Sequence, residues 1–88
     1  MKDQNVMADH HFDETGRLKQ YPSRKPVREL VLRRIAQRFA SGRDYSEKEV
    51  NQIIREQILF SDVELIRREL IEHGILSRER DGSRYWKP

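Results

Sequence analysis

The chain contains no cysteine, which excludes disulfides and thiolate zinc sites. No apolar run comes near the roughly 20 residues of a membrane span. Residues 1–12 have no apolar stretch of the signal-peptide kind, so the expectation is a soluble, cytoplasmic protein. Glycine is sparse, at four residues, and none forms the Gly-rich loop that would cradle a nucleotide phosphate. Hydrophobic residues make up 35% of the 88 positions and aromatics 8%, enough for one small core and therefore one domain. Charge is abundant instead. Asp, Glu, Lys and Arg together make up 38% of the chain, against about 25% in an average protein, and mean hydropathy is −0.96.

The net charge of +3 is unevenly spread. Residues 1–15 and 46–73 are each acidic by three charges, residues 16–45 are basic by seven, and residues 74–88 are basic by two. Positive charge therefore collects around the first expected helix and at the C-terminal end, where it could meet phosphate.

Residues 62–86 are the most informative segment. Asp62 can cap a helix by accepting from its free first-turn N–H groups, and Val63, Ile66 and Leu70 recur at helical spacing. Gly74 suits the left-handed position that ends a helix. Residues 75–80 and 83–87 then flank Asp81-Gly82, which predicts a hairpin with a two-residue turn, Arg78 opposite Tyr85 and positive φ at Gly82. A helix running into a hairpin is the recognition-helix-plus-wing end of a winged helix.

The remaining elements agree with that reading. Pro26 suits the first position of a helix whose apolar stripe is Val27, Val31, Leu32, Ile35 and Phe39, ended by Ser41-Gly42. Ser46 with Glu49 forms a capping box, and Tyr45 and Val50 a hydrophobic staple, so a second helix starts there with Val50, Ile53, Ile54 and Ile58 inward. Residues 43–45 read as a short extended segment. Upstream, Asp13-Glu14-Thr15-Gly16 has the pattern of a type I turn, so Phe12 and Leu18 can fold back as a flap. The expectation is an α+β winged helix over residues 26–88, preceded by a tail and basic linker over residues 1–25 with a small flap at 12–18, residues 1–11 being read as a mobile tail.

The stretches FDETGRLKQYPSRK, YSEKEVNQII and IRRELIEHGILSRERDGSRYW resemble the prokaryotic family known as domain of unknown function 2087. The resemblance spans residues 12–86, and its most specific part is Arg67-Arg68-Glu69-Leu70 followed by Gly74 and the Tyr85-Trp86 pair. That family occurs alone or behind a helix-turn-helix in transcriptional regulators. The resemblance implies a winged-helix-like fold and nucleic-acid binding.

Catalytic chemistry has little to stand on. His10 and His11 lie beside Asp13 and Glu14 without further placed metal ligands, and His73 reads as a hydrogen-bonded histidine at the core edge. Ser41, Ser46 and Ser61 sit where caps and turns want them, so neither enzyme activity, a cofactor nor a metal is expected. The candidate nucleic-acid contacts are Arg67 and Arg68 on the third helix, Arg78, Arg80, Tyr85 and Lys87 on the wing, and Lys25, Arg33 and Arg34 around the first helix. Double-stranded DNA is the expected partner. Hairpin alternation puts Leu76, Arg78, Arg80, Tyr85 and Lys87 on one face and Ile75 with Trp86 on the other, with Trp86 closing the core.

The outer face of the third helix complicates this. Glu64 and Glu72 would repel phosphate, while Leu65 and Ile71 are apolar where a base-reading helix favours polar groups. The alternative is therefore a protein-interaction or homodimerisation module using Leu65, Arg68 and Ile71, or coverage of those side chains by the flap.

Overall fold

The computed structural model describes residues 8–88. Its elements follow the order α1 (Lys25–Ala36), β1 (Asp44–Tyr45), α2 (Glu47–Arg55), α3 (Val63–Glu72), β2 (Ser77–Arg78) and β3 (Tyr85–Trp86). The fold is α+β, and its helix, short strand, helix, helix, hairpin order is compatible with a winged helix. Among the described residues no helix is long and apolar enough to cross a membrane.

Helix α1 begins with a proline in its first turn and buries Val27, Val31, Leu32, Ile35 and Ala36. It stops at Ala36 rather than running on to Ser41-Gly42. The N–H groups of Gln37, Arg38 and Phe39 each bond the carbonyl three residues back, a tightening that ends the α-helix and turns Phe39 into the core. Phe39 meets Tyr45 edge-on, with ring centroids 5.2 Å apart. The Tyr45 hydroxyl accepts from the Ala40 N–H at 2.7 Å, which secures the loop into β1.

Helix α2 starts where the local pattern requires. Ser46 Oγ accepts from Glu49 N–H at 3.1 Å, and Glu49 Oε1 accepts from Ser46 N–H at 2.9 Å, so two otherwise unpaired first-turn donors are satisfied reciprocally. Val50 and Ile54 are fully buried and Ile53 packs at the edge. Just past the helix, the buried Gln57 amide donates to the Ile35 and Ile53 carbonyls at 3.1 and 3.2 Å, fastening α2 to α1.

The sheet is antiparallel in the order β1-β3-β2. The 43–45 segment therefore joins the hairpin as a third strand, pairing Tyr45 with Tyr85 and Asp44 with Trp86. Within the hairpin Arg78 pairs with Tyr85, the expected register. The turn differs. Gly82 N–H donates to the Glu79 carbonyl at 3.0 Å, so Arg80 and Asp81 form its middle, and Ser83 N–H turns to Asp81 Oδ1 at 3.0 Å. Within this turn only Gly82 takes a positive φ, 77°, and among the described residues no non-glycine residue does; a two-residue turn centred on Asp81-Gly82 would force Asp81 into that disfavoured region as well.

Residues 8–22 pack on the same core, although residues 8–11 were expected to be mobile tail; residues 1–7 of that tail lie outside the described residues. Ala8 is buried. The 13–16 turn forms as expected, with Gly16 N–H on the Asp13 carbonyl at 3.0 Å. Phe12 and Leu18 bridge each other, and Leu18 bridges Ile58. Leu18 N–H donates to the Gln57 carbonyl at 2.7 Å and the Leu18 carbonyl accepts from Leu59 N–H at 2.9 Å. The flap is thus stitched to the α2–α3 turn, and Leu18 is completely buried.

Candidate nucleic-acid interface

Helix α3 is held at both ends by local chemistry. Asp62 Oδ1 accepts from Leu65 N–H at 3.0 Å. At the far end Ile75 N–H reaches the Leu70 carbonyl at 2.9 Å and Gly74 N–H the Ile71 carbonyl at 3.0 Å, with Gly74 at φ 70°. This is the paired bonding of a glycine-terminated helix. Val63, Ile66 and Leu70 are buried beneath α3. Glu64, Arg68 and Glu72 are exposed on its other side, and Leu65, Arg67 and Ile71 are half-buried at the margins.

That exposed side forms one wall of a cleft of about 380 Å³. Glu64, Arg67, Arg68, Ile71 and Glu72 come from α3, Glu47 from the first turn of α2, and Arg78 and Tyr85 from the hairpin. Tyr85 is buried, and its hydroxyl donates to Glu47 Oε1 at 3.0 Å. Burial, and then the Glu47 carboxylate beside it, push the Tyr85 phenol above its usual range. Arg67 donates to Asn51 Oδ1 at 2.5 Å and lies 4.0 Å from Glu47 Oε2, with only 18% of its side chain exposed. Both side chains tie α3 and the hairpin to α2. Arg68 and Arg78 are exposed, and neither holds an ion pair among the described residues. Arg78 makes only long contacts, 3.5 Å, to the Glu79 and Arg80 carbonyls.

Residues 17–87 match a family described as an uncharacterized protein conserved in bacteria, domain of unknown function 2087. The chain belongs to that family. No curated protein and no solved structure matches it. The matched span takes in every element of this family member's fold and leaves out the turn at 13–16.

The expected contacts of this domain of unknown function separate into two groups. Arg67, Arg68 and Arg78 converge on the cleft, and the exposed Arg80 stands beside it, in the neighbouring hollow along β2 that Arg78 also lines. Tyr85 and Lys87 are not available on a wing face. Tyr85 is in the core. Lys87 Nζ donates to the Ala36 and Phe39 carbonyls at 3.2 and 3.4 Å, capping the carbonyl end of α1, where a cation is favoured. Trp86, expected to close the core, is instead half-buried with the Arg84 guanidinium 4.5 Å over its ring. Arg84 is further occupied by Asp44 at 3.3 Å and by Glu79. The exchange of roles follows from where β2 begins. Ile75 and Leu76 are both buried because both N–H groups are anchored on the Leu70 carbonyl before the strand starts at Ser77, so alternation counted from Ile75 assigns the wrong face.

The cations of α1 lie elsewhere. Arg33 pairs with Glu29 at 3.0 Å, and Arg34 with Asp9 at 2.6 Å while covering the Phe12 ring. Lys25 and Arg33 border a different hollow, with Glu29, Leu30 and His73. His73 lies at the end of α3, 3.7 Å from Glu29 and 3.6 Å from Glu69; Glu69 also accepts from the Tyr21 hydroxyl at 2.7 Å. Burial first, and then Glu69, raise the Tyr21 phenol. Among the described residues no group of three or more His, Asp and Glu side chains is arranged to hold a metal ion.

At the alternative interface Ile71 packs against the core and Leu65 is half-buried, and the Leu18 backbone of the flap bonds Gln57 and Leu59 beyond the end of α2. Among the described residues the exposed large apolar side chain is Leu59, at 52%. Sequence reasoning passed over Leu59, and it also passed over Glu47 and Asn51 as cleft supports. The sequence offers Glu47 as a first-turn helix acid and nothing more; its partners are 20 and 38 residues away.

Proposed function

We propose that this domain is a non-catalytic, winged-helix nucleic-acid-binding module that binds duplex DNA with the exposed side of α3 and the adjoining hairpin, in a transcription-related setting in the cytoplasm. The observation that carries the reading is the placement of Arg68, Arg78 and Arg80. All three are exposed, none has an ion pair among the described residues, and α3 and the hairpin present them around one cleft and its margin. Arginines so placed can neutralise phosphates while a helix face lies toward the groove. The α1 cations recede to a secondary role at most, because Arg33 and Arg34 are already engaged.

Fluorescence anisotropy with a random-sequence duplex, titrated from about 50 to 200 mM salt, tests this. Affinity falls with a slope of about −0.9 per neutralised phosphate, and Arg78→Gln with Arg80→Gln flattens the slope by about two units for every sequence alike. Absence of binding at low salt, or binding without a slope, refutes the reading.

A second reading draws on the carboxylates Glu47, Glu64 and Glu72 in the same cleft. A mixed-charge cleft on α3 suits a protein partner or second copy that contacts Leu65, Arg68 and Ile71. Sedimentation distinguishes it: this assembly forms without DNA, and its mass rises with protein or partner concentration.

A further inference from the structure

Resting on the DNA-binding reading above, we propose that α3 reads G·C pairs, with Arg68 donating to guanine and Glu64 accepting from the amino group of cytosine. Glu64 and Arg68 are four residues apart, both exposed, and both on the cleft wall. Acid before base at that spacing is the favourable arrangement for an ion pair along a helix. Neither forms one among the described residues, in contrast to Arg33 and Glu29 on α1, which do so at 3.0 Å. The full donor fork of Arg68 and both acceptor oxygens of Glu64 therefore remain available to a ligand in the cleft.

The chemistry of base edges narrows what that ligand presents. In the major groove a guanidinium fork matches the two acceptors of guanine, O6 and N7. A carboxylate is acceptor-only. It is satisfied by the cytosine N4 amino group, whereas the adenine amino group has the N7 lone pair beside it, which repels a second acceptor. A glutamate facing a polyanion lowers affinity for every sequence. Only a site offering a donor at that position recovers the loss, so Glu64 works as a discriminator rather than an anchor, and Arg78 and Arg80 supply the attraction. Four residues of helix advance about 6 Å against about 3.4 Å per base step, which sets the two recognised positions about two steps apart.

Selection from a randomised duplex pool with the full chain, followed by anisotropy on the selected site, tests the assignment, and circular dichroism confirms that each variant is folded. Wild type is expected to enrich G·C at two positions about two steps apart. Glu64→Gln is expected to change one of them from cytosine to adenine, since a glutamine amide can both donate to N7 and accept from N6 of adenine, shifting the ratio of affinities about tenfold. Arg68→Ala is expected to lose the guanine preference at the other position alone. Wild-type binding with no base preference, or a selected site unchanged in Glu64→Gln, overturns this inference while the DNA-binding reading stands. No binding to any duplex at low salt overturns both.

Discussion

The flap offers the sharpest test of how this chain holds together. Leu18 sits in a short segment between a turn and a basic linker, yet it is 0% exposed, and its backbone bonds both Gln57 and Leu59. Replacing it with alanine keeps those backbone bonds and removes only the buried side chain beyond Cβ. The loss combines the transfer energy of the removed methyl groups with the cavity they leave, about 2–5 kcal/mol for a fully buried leucine. A chain of this length has roughly 4–13 kcal/mol of total stability, so a loss of about 3 kcal/mol is a large fraction of it. With about 4–8 °C per kcal/mol for a domain of this size, the Tm should fall by about 12–24 °C. Leu59→Ala is the matched control, because Leu59 is 52% exposed and should change stability by no more than about 0.5 kcal/mol. Thermal and urea unfolding followed by circular dichroism measure both. If Leu18→Ala shifts the midpoint no more than Leu59→Ala does, the flap is not part of the cooperative core and the reasoning fails.

Gly82→Val should destabilise the domain by on the order of 1–2 kcal/mol, since φ is 77° while the nearest atoms lie 3.7 Å from an added Cβ, leaving backbone conformation as the cost; a loss under about 0.3 kcal/mol in urea unfolding would contradict this. Lys87→Met should cost about 1 kcal/mol through loss of the ammonium bonds to the Ala36 and Phe39 carbonyls, yet leave the salt slope of DNA binding unchanged, which anisotropy checks directly. Hydrogen bonds hold the carboxyl of Asp13, mainly from Thr15, and that of Glu49, mainly from Ser46 N–H, below their ordinary values of 3.8 and 4.5. Because the folded values are depressed, the stabilisation is complete above the ordinary range and is lost as pH falls through the lower folded values. Urea midpoints should therefore be level above about pH 5 and decline below it, and Glu49→Gln, which removes the titrating carboxylate that accepts from Ser46 N–H, should show a shallower decline.

Features whose bonding partners lie within about seven residues were legible from the sequence. The Ser46–Glu49 box, the Asp62 cap, the Gly74 stop, the turn at residues 13–16 and the Arg78–Tyr85 register are closed by groups near one another along the chain, so residue type and spacing specify them. The end of α1 was less legible, because three carbonyl bonds taken one residue short decide it and no residue type at 37–39 announces them.

By itself, then, the sequence determined the order of elements, the helix starts, the hairpin register and the concentration of cations toward α1 and the hairpin. The tertiary structure decided which side chains remain for a ligand. Tyr85 is withdrawn by Glu47, 38 residues away, and Lys87 by the Ala36 carbonyl, 51 residues away. Arg34 is covered through Asp9 and Phe12, and Leu18 is buried by contacts across 40 residues. A buried polar group must find a partner wherever the fold brings one, and that partner is chosen by packing rather than by spacing along the chain. Arg68, Arg78 and Arg80 remain on the cleft and its margin because the fold brings none of them a carboxylate partner among the described residues.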